Sequence, residues 1–385
     1  MRLCIIYDCL YPWTIGGAER WYRLLAEHLA AEGHDVVYLT RDQWSPGPPP
    51  AISGVRVVPV SGPDSLYASG RRAIAPPARF GIGVHRHLAR HGASYDAVAC
   101  ASFPYFSTLA AGRLRDRFGY RLVVDWWEVW SDAYWRHYLG PARGRAGAMI
   151  QRRCAAMPHV ARCAAPRHAE RLRRLGFNGP VLPIGGIHQQ GTVPAPAQPR
   201  PAGGYLIVTG RLTPDKGSGA VLPALAEARR VRPDLRAVIA GDGPSAPMMR
   251  EQARRLGLER AVDFRGFVSE TELDGLIAGA TCLLNPSRRE GYGLSILDAA
   301  CRGVPSVVAP GPDNAAADLI ETGANGEIAG SPAAADLASA ILRVDAAGEP
   351  LRRSTFRWWA ATRPPLDAGD GLQRAGEALF GPLPQ

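Results

Sequence analysis

YLIVTGRLTPDKGSGAVLPALAEARRV, residues 205–231, carries three patterns end to end. A short apolar run, YLIVTG, reads as a buried strand. The loop after it holds Arg211 and Lys216, and a helical segment follows from about Ser218 to Val231. An apolar strand that passes through a glycine-bearing loop into a helix is the opening of a βαβ unit. Lys216 stands out further as the only lysine in a chain whose other cations are arginines.

The same alternation recurs on both sides of this stretch. Strands are predicted at 2–10, 35–40, 55–60, 96–101 and 121–127 in the first half, and at 205–210, 236–241, 261–266, 281–287 and 304–310 in the second. Between the halves, QQGTVPAPAQPRPAGG (189–204) has no periodicity and reads as a linker. The expectation is an α/β protein of two doubly wound, Rossmann-like domains, each with its ligand crevice beyond the carboxyl ends of its strands.

Composition narrows the class. A chain of 385 residues can bury a substantial core. No apolar run approaches the roughly 20 residues of a membrane span. Asp8 interrupts the one candidate leader, LCIIYDCL, so a cytoplasmic protein is expected. The seven cysteines are scattered without a CxxC pair, which argues for reduced, mostly buried thiols rather than disulfides or a zinc site.

Charge is uneven. Residues 1–200 hold 25 arginines against 13 acids, whereas the remainder is slightly acidic, with 20 Lys plus Arg against 22 acids. The densest run, 141–177, has nine arginines and the single acid Glu170. It reads either as two solvated helices or as a face for anionic lipid at the inner membrane surface or for a phosphorylated acceptor. It carries no nucleic-acid-binding motif, so no nucleic-acid partner is expected.

The strand-end rule collects the candidate site of the second half. Arg211 and Lys216 follow the strand that ends at Gly210. Glu290 follows the strand TCLLNPS, in SRREGYGLSILDAACRGVP (287–305), and Asp242 follows a third strand in AGDGP. The amides of Gly291, Tyr292, Gly293 and Leu294 precede or begin a helix, where phosphate or a sugar hydroxyl is well received. The backbone of Gly266, Phe267 and Val268 lies where a flat base could rest. Two cations, a carboxylate and free amides at one edge suit a nucleoside diphosphate.

TGRLTPDKG, VIAGDGP, VDFRGFVSETEL, NPSRREGYGLSILDAACRGVPSVVA and NAAADLIETGANGEIAG fall in the order and spacing of the retaining glycosyltransferases of family 4. Over residues 205–330 the chain resembles that family (glycosyl transferases group 1). The resemblance implies a GT-B fold, with two Rossmann-like domains facing a central cleft: an acceptor domain 1–188, completed by 356–385, and a donor domain 205–355. It implies that Arg211 and Lys216 contact the donor diphosphate, that Glu290 holds the sugar, and that Asp298 stands where the family has a glutamate for the ribose. In the first half, TIGGAERWYRLLAEHLAAEGHDV (14–36) resembles the glycine loop and helix that face donor and acceptor, with Gly16 and Gly17 allowing close backbone approach.

Departures from the family pattern bear on mechanism. Trp127 holds the position before Glu128 where a histidine is usual, so no histidine is given a catalytic role. In the usual retaining scheme the leaving phosphate takes the acceptor proton, and the protein supplies position and charge. No cofactor and no metal are expected. The donor is expected to be of UDP, GDP or dTDP type; glycan, glycolipid and natural-product aglycone remain open as acceptors. Trp127, Glu128 and Trp130 are the acceptor-side candidates, and the tryptophans read either as a stacking platform or as domain core. Asp298 reads either as a ribose ligand or as a helix-surface acid. A non-catalytic sugar-nucleotide binding protein, or an epimerase or hydrolase on the same scaffold, is the alternative to a transferase.

Overall fold

The computed structural model describes residues 1–64, 67–68, 71–184, 204–362 and 368–381. The chain divides into two units, Met1–Ile187 with Pro365–Gln385, and His188–Pro364. The expected linker 189–204 lies almost wholly outside the described residues.

The first unit runs β1 (Arg2–Ile6), α1 (Gly17–Ala31), β2 (Asp35–Arg41), β3 (Val55–Ser61), a small hairpin β4 (Tyr67–Ala68) and β5 (Arg71–Arg72), α2 (Ala75–His91), β6 (Ala97–Ala101), α3 (Tyr105–Phe118), β7 (Arg121–Trp126), α4 (Asp132–Leu139), α5 (Pro141–Ala155), β8 (Val160–Cys163), α6 (Pro166–Arg174) and β9 (Val181–Pro183). Seven of these strands, all but the hairpin, form one parallel sheet, ordered β3-β2-β1-β6-β7-β8-β9. Strands covered by helices on both faces must be apolar throughout, which is why RLCII and AVACA read as unbroken runs.

The second unit runs β10 (Tyr205–Thr209), α7 (Ser218–Arg229), β11 (Arg236–Ala240), α8 (Ala246–Arg255), β12 (Val262–Gly266), α9 (Glu270–Ala278), β13 (Cys282–Asn285), α10 (Leu294–Ala300), β14 (Ser306–Val308), β15 (Gly326–Ile328) and α11 (Ala334–Thr362). Its parallel sheet is ordered β12-β11-β10-β13-β14-β15. The order reverses between β10 and β13, as it does between β1 and β6 in the first unit. At such a reversal the flanking loops diverge to opposite faces and leave a crevice at the carboxyl ends of the strands. In α9, Ser269 caps the first turn by accepting from the Glu272 amide. Gly348 (φ 54°, ψ −139°), two residues before Pro350, breaks α11 into two helices.

α12 (Ala368–Phe380) returns to the first unit and packs on α1, β6 and β7. Residues 356–362, expected to belong with it, instead finish α11 within the second unit: Trp359 packs with Ala300 and Cys301, and the Trp358 indole donates to Glu321. The arginine-rich run 141–177 also differs from expectation, because it holds β8 between its two helices. Arg162 on that strand is 1% exposed and bonds Asp125 of β7 at 2.6 and 2.9 Å. Its Nη1 reaches the Ala375 carbonyl of α12 at 3.1 Å. All seven cysteines are free and buried. Among the described residues no helix is long and apolar enough to cross a membrane.

Candidate functional site

The order reversal of the second sheet places the loop after β10 beside the loop after β13. Leu212 is buried and anchors the first loop; its amide donates to the Asp242 carbonyl and its carbonyl accepts from the Ser245 amide. The loops after β10 and β11 are thereby tied together, with Gly210 and Gly241 in such close approach that a Cβ on Gly241 would lie 1.9 Å from the Gly210 carbonyl. A 3-10 turn, Pro214–Lys216, carries the chain into α7 through Gly217, whose φ of 69° belongs to the left-handed region.

Asp215 fastens this loop to the next. Its carbonyl accepts from the Arg288 amide at 2.8 Å, and its carboxylate bonds Arg289 at 3.0 Å. Lys216 Nζ then lies 2.6 Å from Glu290 Oε2, and Ser287 Oγ approaches the same oxygen at 3.4 Å. Glu290 is in turn held by its backbone: its amide donates to the Asp313 carbonyl and its carbonyl accepts from the Ala315 amide. The buried Asn314 fixes that third loop, donating to the Ala309 carbonyl and accepting from the Ala316 amide. The loops after three strands, β10, β13 and β14, therefore converge on one cation–carboxylate pair, and the loop after β11 is tied to the first of them. Lys216 is 33% and Glu290 17% exposed, so both remain reachable from solvent.

Arg211 and Asp242 are exposed on neighbouring strand ends, and Asp242 accepts from the Gly243 amide. Gly293 (φ 108°) opens α10, and Asp298 lies one turn in from Leu294 on the same helix, half-buried. Gly291 is buried, and burial pushes the phenol of Tyr292 up to about 12, so it stays neutral at physiological pH. Gly266 (φ 65°) ends β12, Val268 is half-buried, and Phe267 is 65% exposed. Among the described residues no group of three or more His, Cys, Asp and Glu is placed to hold a metal ion.

In the first unit, Gly16 caps α1 and Gly17 begins it. The backbone at Gly16 is extended (φ 179°), and a Cβ there would meet only the movable end of Glu19, so the conformation does not demand glycine. Trp127, Glu128 and Trp130 occupy the loop between β7 and α4. Tyr134 lies beyond them on α4. Trp127 meets Trp21 edge-on at 5.5 Å, and the Trp130 indole N–H donates to the Glu128 carboxylate. Trp130 is buried against Phe103, Tyr134 and Trp135.

Two family models match the chain: "Glycosyl transferase 4-like domain" over residues 16–185 and "Glycosyl transferases group 1" over residues 196–354. Together they cover most of the chain, which is a GT4-like glycosyltransferase. This glycosyltransferase is 27% identical to a glycogen synthase of Mycobacterium tuberculosis over 336 residues, 80% of this chain and 77% of that protein. In fold it is similar to sucrose-phosphate synthase from Thermosynechococcus elongatus (TM-score 0.75, 17% identity, 98% and 97% of the two chains). It is likewise similar to Anabaena HepE in complex with UDP (TM-score 0.72, 16% identity, 98% and 99%). The likeness is to GT-B glycosyltransferases, which matches the two doubly wound sheets.

The glycosyltransferase holds its site together with residues that sequence reading passed over. Asp215, Ser287 and Arg289 lie inside the quoted motifs but were given no part, and Asn314 opens a motif that had been used only for its spacing. The signal was local: Asp215 precedes Lys216 and Arg289 precedes Glu290, so each candidate residue sits beside the one that ties its loop to the other.

Proposed function

We propose that the protein transfers a sugar from a nucleoside-diphosphate donor to an acceptor with retention at the anomeric carbon and without a metal ion. The observation that carries this reading is the Lys216–Glu290 pair at the order reversal of the second sheet, with Arg211 earlier in the loop that carries Lys216. An ammonium has three donor hydrogens, so Lys216 can keep its bond to Glu290 and still give two to phosphate oxygens. Glu290 Oε2 is taken by Lys216 and Ser287, which leaves Oε1 to accept from a donor-sugar hydroxyl. As the bond from the anomeric carbon to the phosphate oxygen breaks, negative charge grows on the diphosphate. Arg211 and Lys216, already in position, stabilise it without reorganising. The acceptor oxygen bonds to the anomeric carbon and its proton passes to the departing phosphate, so the step needs no separate base.

The Anabaena HepE structure contains UDP, which supports a nucleotide-sugar donor here. In this reading Gly266, Phe267 and Val268 meet the base, Asp298 the ribose, and the first unit the acceptor. The test is a thermal-shift screen with UDP, GDP, dTDP and ADP, with and without magnesium, on wild type and Lys216→Ala. A metal-independent rise with one nucleotide, lost in the variant, is the expected result. No rise with any nucleotide would sink the donor-site assignment.

A further inference from the structure

The first unit contains a cavity of about 200 Å³ at the carboxyl edge of its sheet. Its walls come from the loop after β6, the loop after β7, and helices α4 and α5. Phe103, Tyr105, Trp130, Trp135, Tyr138 and Ile150 are among its lining residues. On α5 the lining positions are 143, 146, 147 and 150, one face at helical spacing. Gly147 makes the wall possible, since a Cβ there would lie 2.4 Å from the Trp135 ring.

The polar side-chain atoms of Tyr105, Trp130 and Trp135 are already engaged. Tyr105 Oη and Trp135 Nε1 both donate to the buried Gln151 Oε1, which also accepts from the Trp130 amide, while Trp130 Nε1 donates to Glu128. With these three rings engaged and the walls mostly apolar, a sugar placed in this cavity would lose more hydrogen bonds to water than it regains, which is costly; a hydrocarbon loses none. Stacking on an acceptor sugar, one reading of these tryptophans, therefore does not fit the cavity itself. Its one charged lining residue is Arg143. Arg136 on α4 and Arg145 and Arg153 on α5 are exposed too, and none of these four has an acidic partner among the described residues. α5 itself holds four arginines and no acid.

We propose that the cavity takes the hydrocarbon chain of an anionic amphiphile, with its phosphate-bearing head on Arg143 at the cavity wall, and that this amphiphile is the acceptor. The assignment rests on the transferase reading and adds its acceptor class: a lipid-like molecule with a phosphate near the end of its chain. Apolar walls select the chain, and the Arg143 guanidinium, which has no acidic partner among the described residues, selects the head.

The experiment is calorimetric titration of the full chain with dodecyl phosphate, dodecyl maltoside and inorganic phosphate, below the micellar concentration of each detergent. Wild type, Ala146→Phe and Arg143→Gln are compared. Both substituted positions are exposed, so the fold is expected to survive, and Ala73→Leu fills the cavity from the opposite wall if Ala146→Phe does not fold. Dodecyl phosphate should bind one-to-one and inorganic phosphate not measurably. Filling the cavity should weaken dodecyl phosphate about tenfold or more, and Arg143→Gln should weaken it roughly three- to tenfold while leaving dodecyl maltoside unchanged.

Equal binding of inorganic phosphate would reduce the site to a surface anion patch. Binding only to vesicles containing anionic lipid, indifferent to Ala146→Phe, would make this face a membrane contact. Self-association abolished by Ala146→Phe would give the cavity to a second copy. Each of these overturns the proposal. The nucleotide thermal shift, measured on the same protein, reports separately on the donor site, so this inference can fail while the transferase reading stands.

Discussion

Lys216 Nζ and Glu290 Oε2 lie 2.6 Å apart although 74 residues separate them in the chain. The pair joins the two loops that diverge at the order reversal of the second sheet, and Asp215–Arg289 joins the same loops one residue earlier on each. In the donor reading, Lys216→Ala removes a fixed cation beside the leaving diphosphate and should lower kcat/KM by roughly 10²–10³. Lys216→Arg should recover only part, because the wider guanidinium cannot keep both Glu290 and a phosphate oxygen in the same geometry. Steady-state sugar transfer with the nucleotide found by the screen, on variants whose melting temperature matches wild type, checks both. Wild-type kcat/KM in Lys216→Ala would remove the lysine from the chemistry.

Gly217 is the hinge that aims Lys216. Its φ is 69°, and a Cβ would fall 2.0 Å from the Pro286 carbonyl, a backbone atom of the loop after β13 that cannot turn aside. Gly217→Ala should therefore cost about 2 kcal/mol or more and force apart the two loops that carry Lys216 and Glu290. Gly210→Ala is the matched control: its φ of 97° is also left-handed, but nothing lies within 4 Å of the added atom. It should cost only the backbone term of roughly 1–2 kcal/mol. Denaturant midpoints of the two variants would test the difference, and equal losses would refute the steric argument.

How much of this was legible in the sequence depends on the distance over which each signal acts. The strand–loop–helix at 205–231 is local, and it located β10, Lys216 and α7 to within a residue or two. The parallel order followed from the repetition of that pattern. β8 was missed because VARC is short and carries Arg162, which composition assigns to a surface; only its pairing with Asp125 on β7 explains a buried arginine, and that pairing is a tertiary fact. The strand expected at 121–127 ends one residue earlier, at Trp126, which leaves Trp127 in the loop before α4. The Lys216–Glu290 contact was also beyond reach: both residues were placed on one edge, but sequence gave them separate ligands and no bond to each other.

The Asp125–Arg162 pair is the load on which α12 hangs. Asp125 is 0% and Arg162 1% exposed, Tyr22 Oη donates to Asp125 at 2.6 Å, and Arg162 reaches the Ala375 carbonyl. Burial, reinforced by the Asp125 charge, pushes the Tyr22 phenol well above its ordinary range, so it remains a donor. Asp125→Asn leaves a buried guanidinium uncompensated and should cost about 3–5 kcal/mol. Amide hydrogen exchange should show the loss first as faster exchange in residues 372–380. Asp125→Asn with Arg162→Met should cost less than the two single changes added together, because each single change strands the other's partner. Strict additivity would mean that the pair contributes no coupling.

His159 gives the first unit a pH dependence whose sign is set by burial. Its Nδ1 faces the Met157 carbonyl at 2.7 Å and its Nε2 faces the Trp126 indole N–H at 3.1 Å. Both contacts are met together by the neutral ring protonated on Nδ1. Burial lowers its pKa from 6.5 to about 4, against the smaller opposing pull of the Met157 carbonyl. Between those two values the unfolded chain binds a proton that the folded chain refuses, so stability falls as pH falls and the contribution is gone below about pH 4. The full swing is about 3 kcal/mol. His87, which burial also lowers to about 4, adds a slope of the same sign, so the measurement must be a difference. Melting curves of wild type and His159→Gln from pH 7 to pH 4 should diverge near neutrality, where the native imidazole contributes most, and converge as the pH drops. Parallel curves across that range would show that the imidazole takes up its proton without leaving its place beside Trp126.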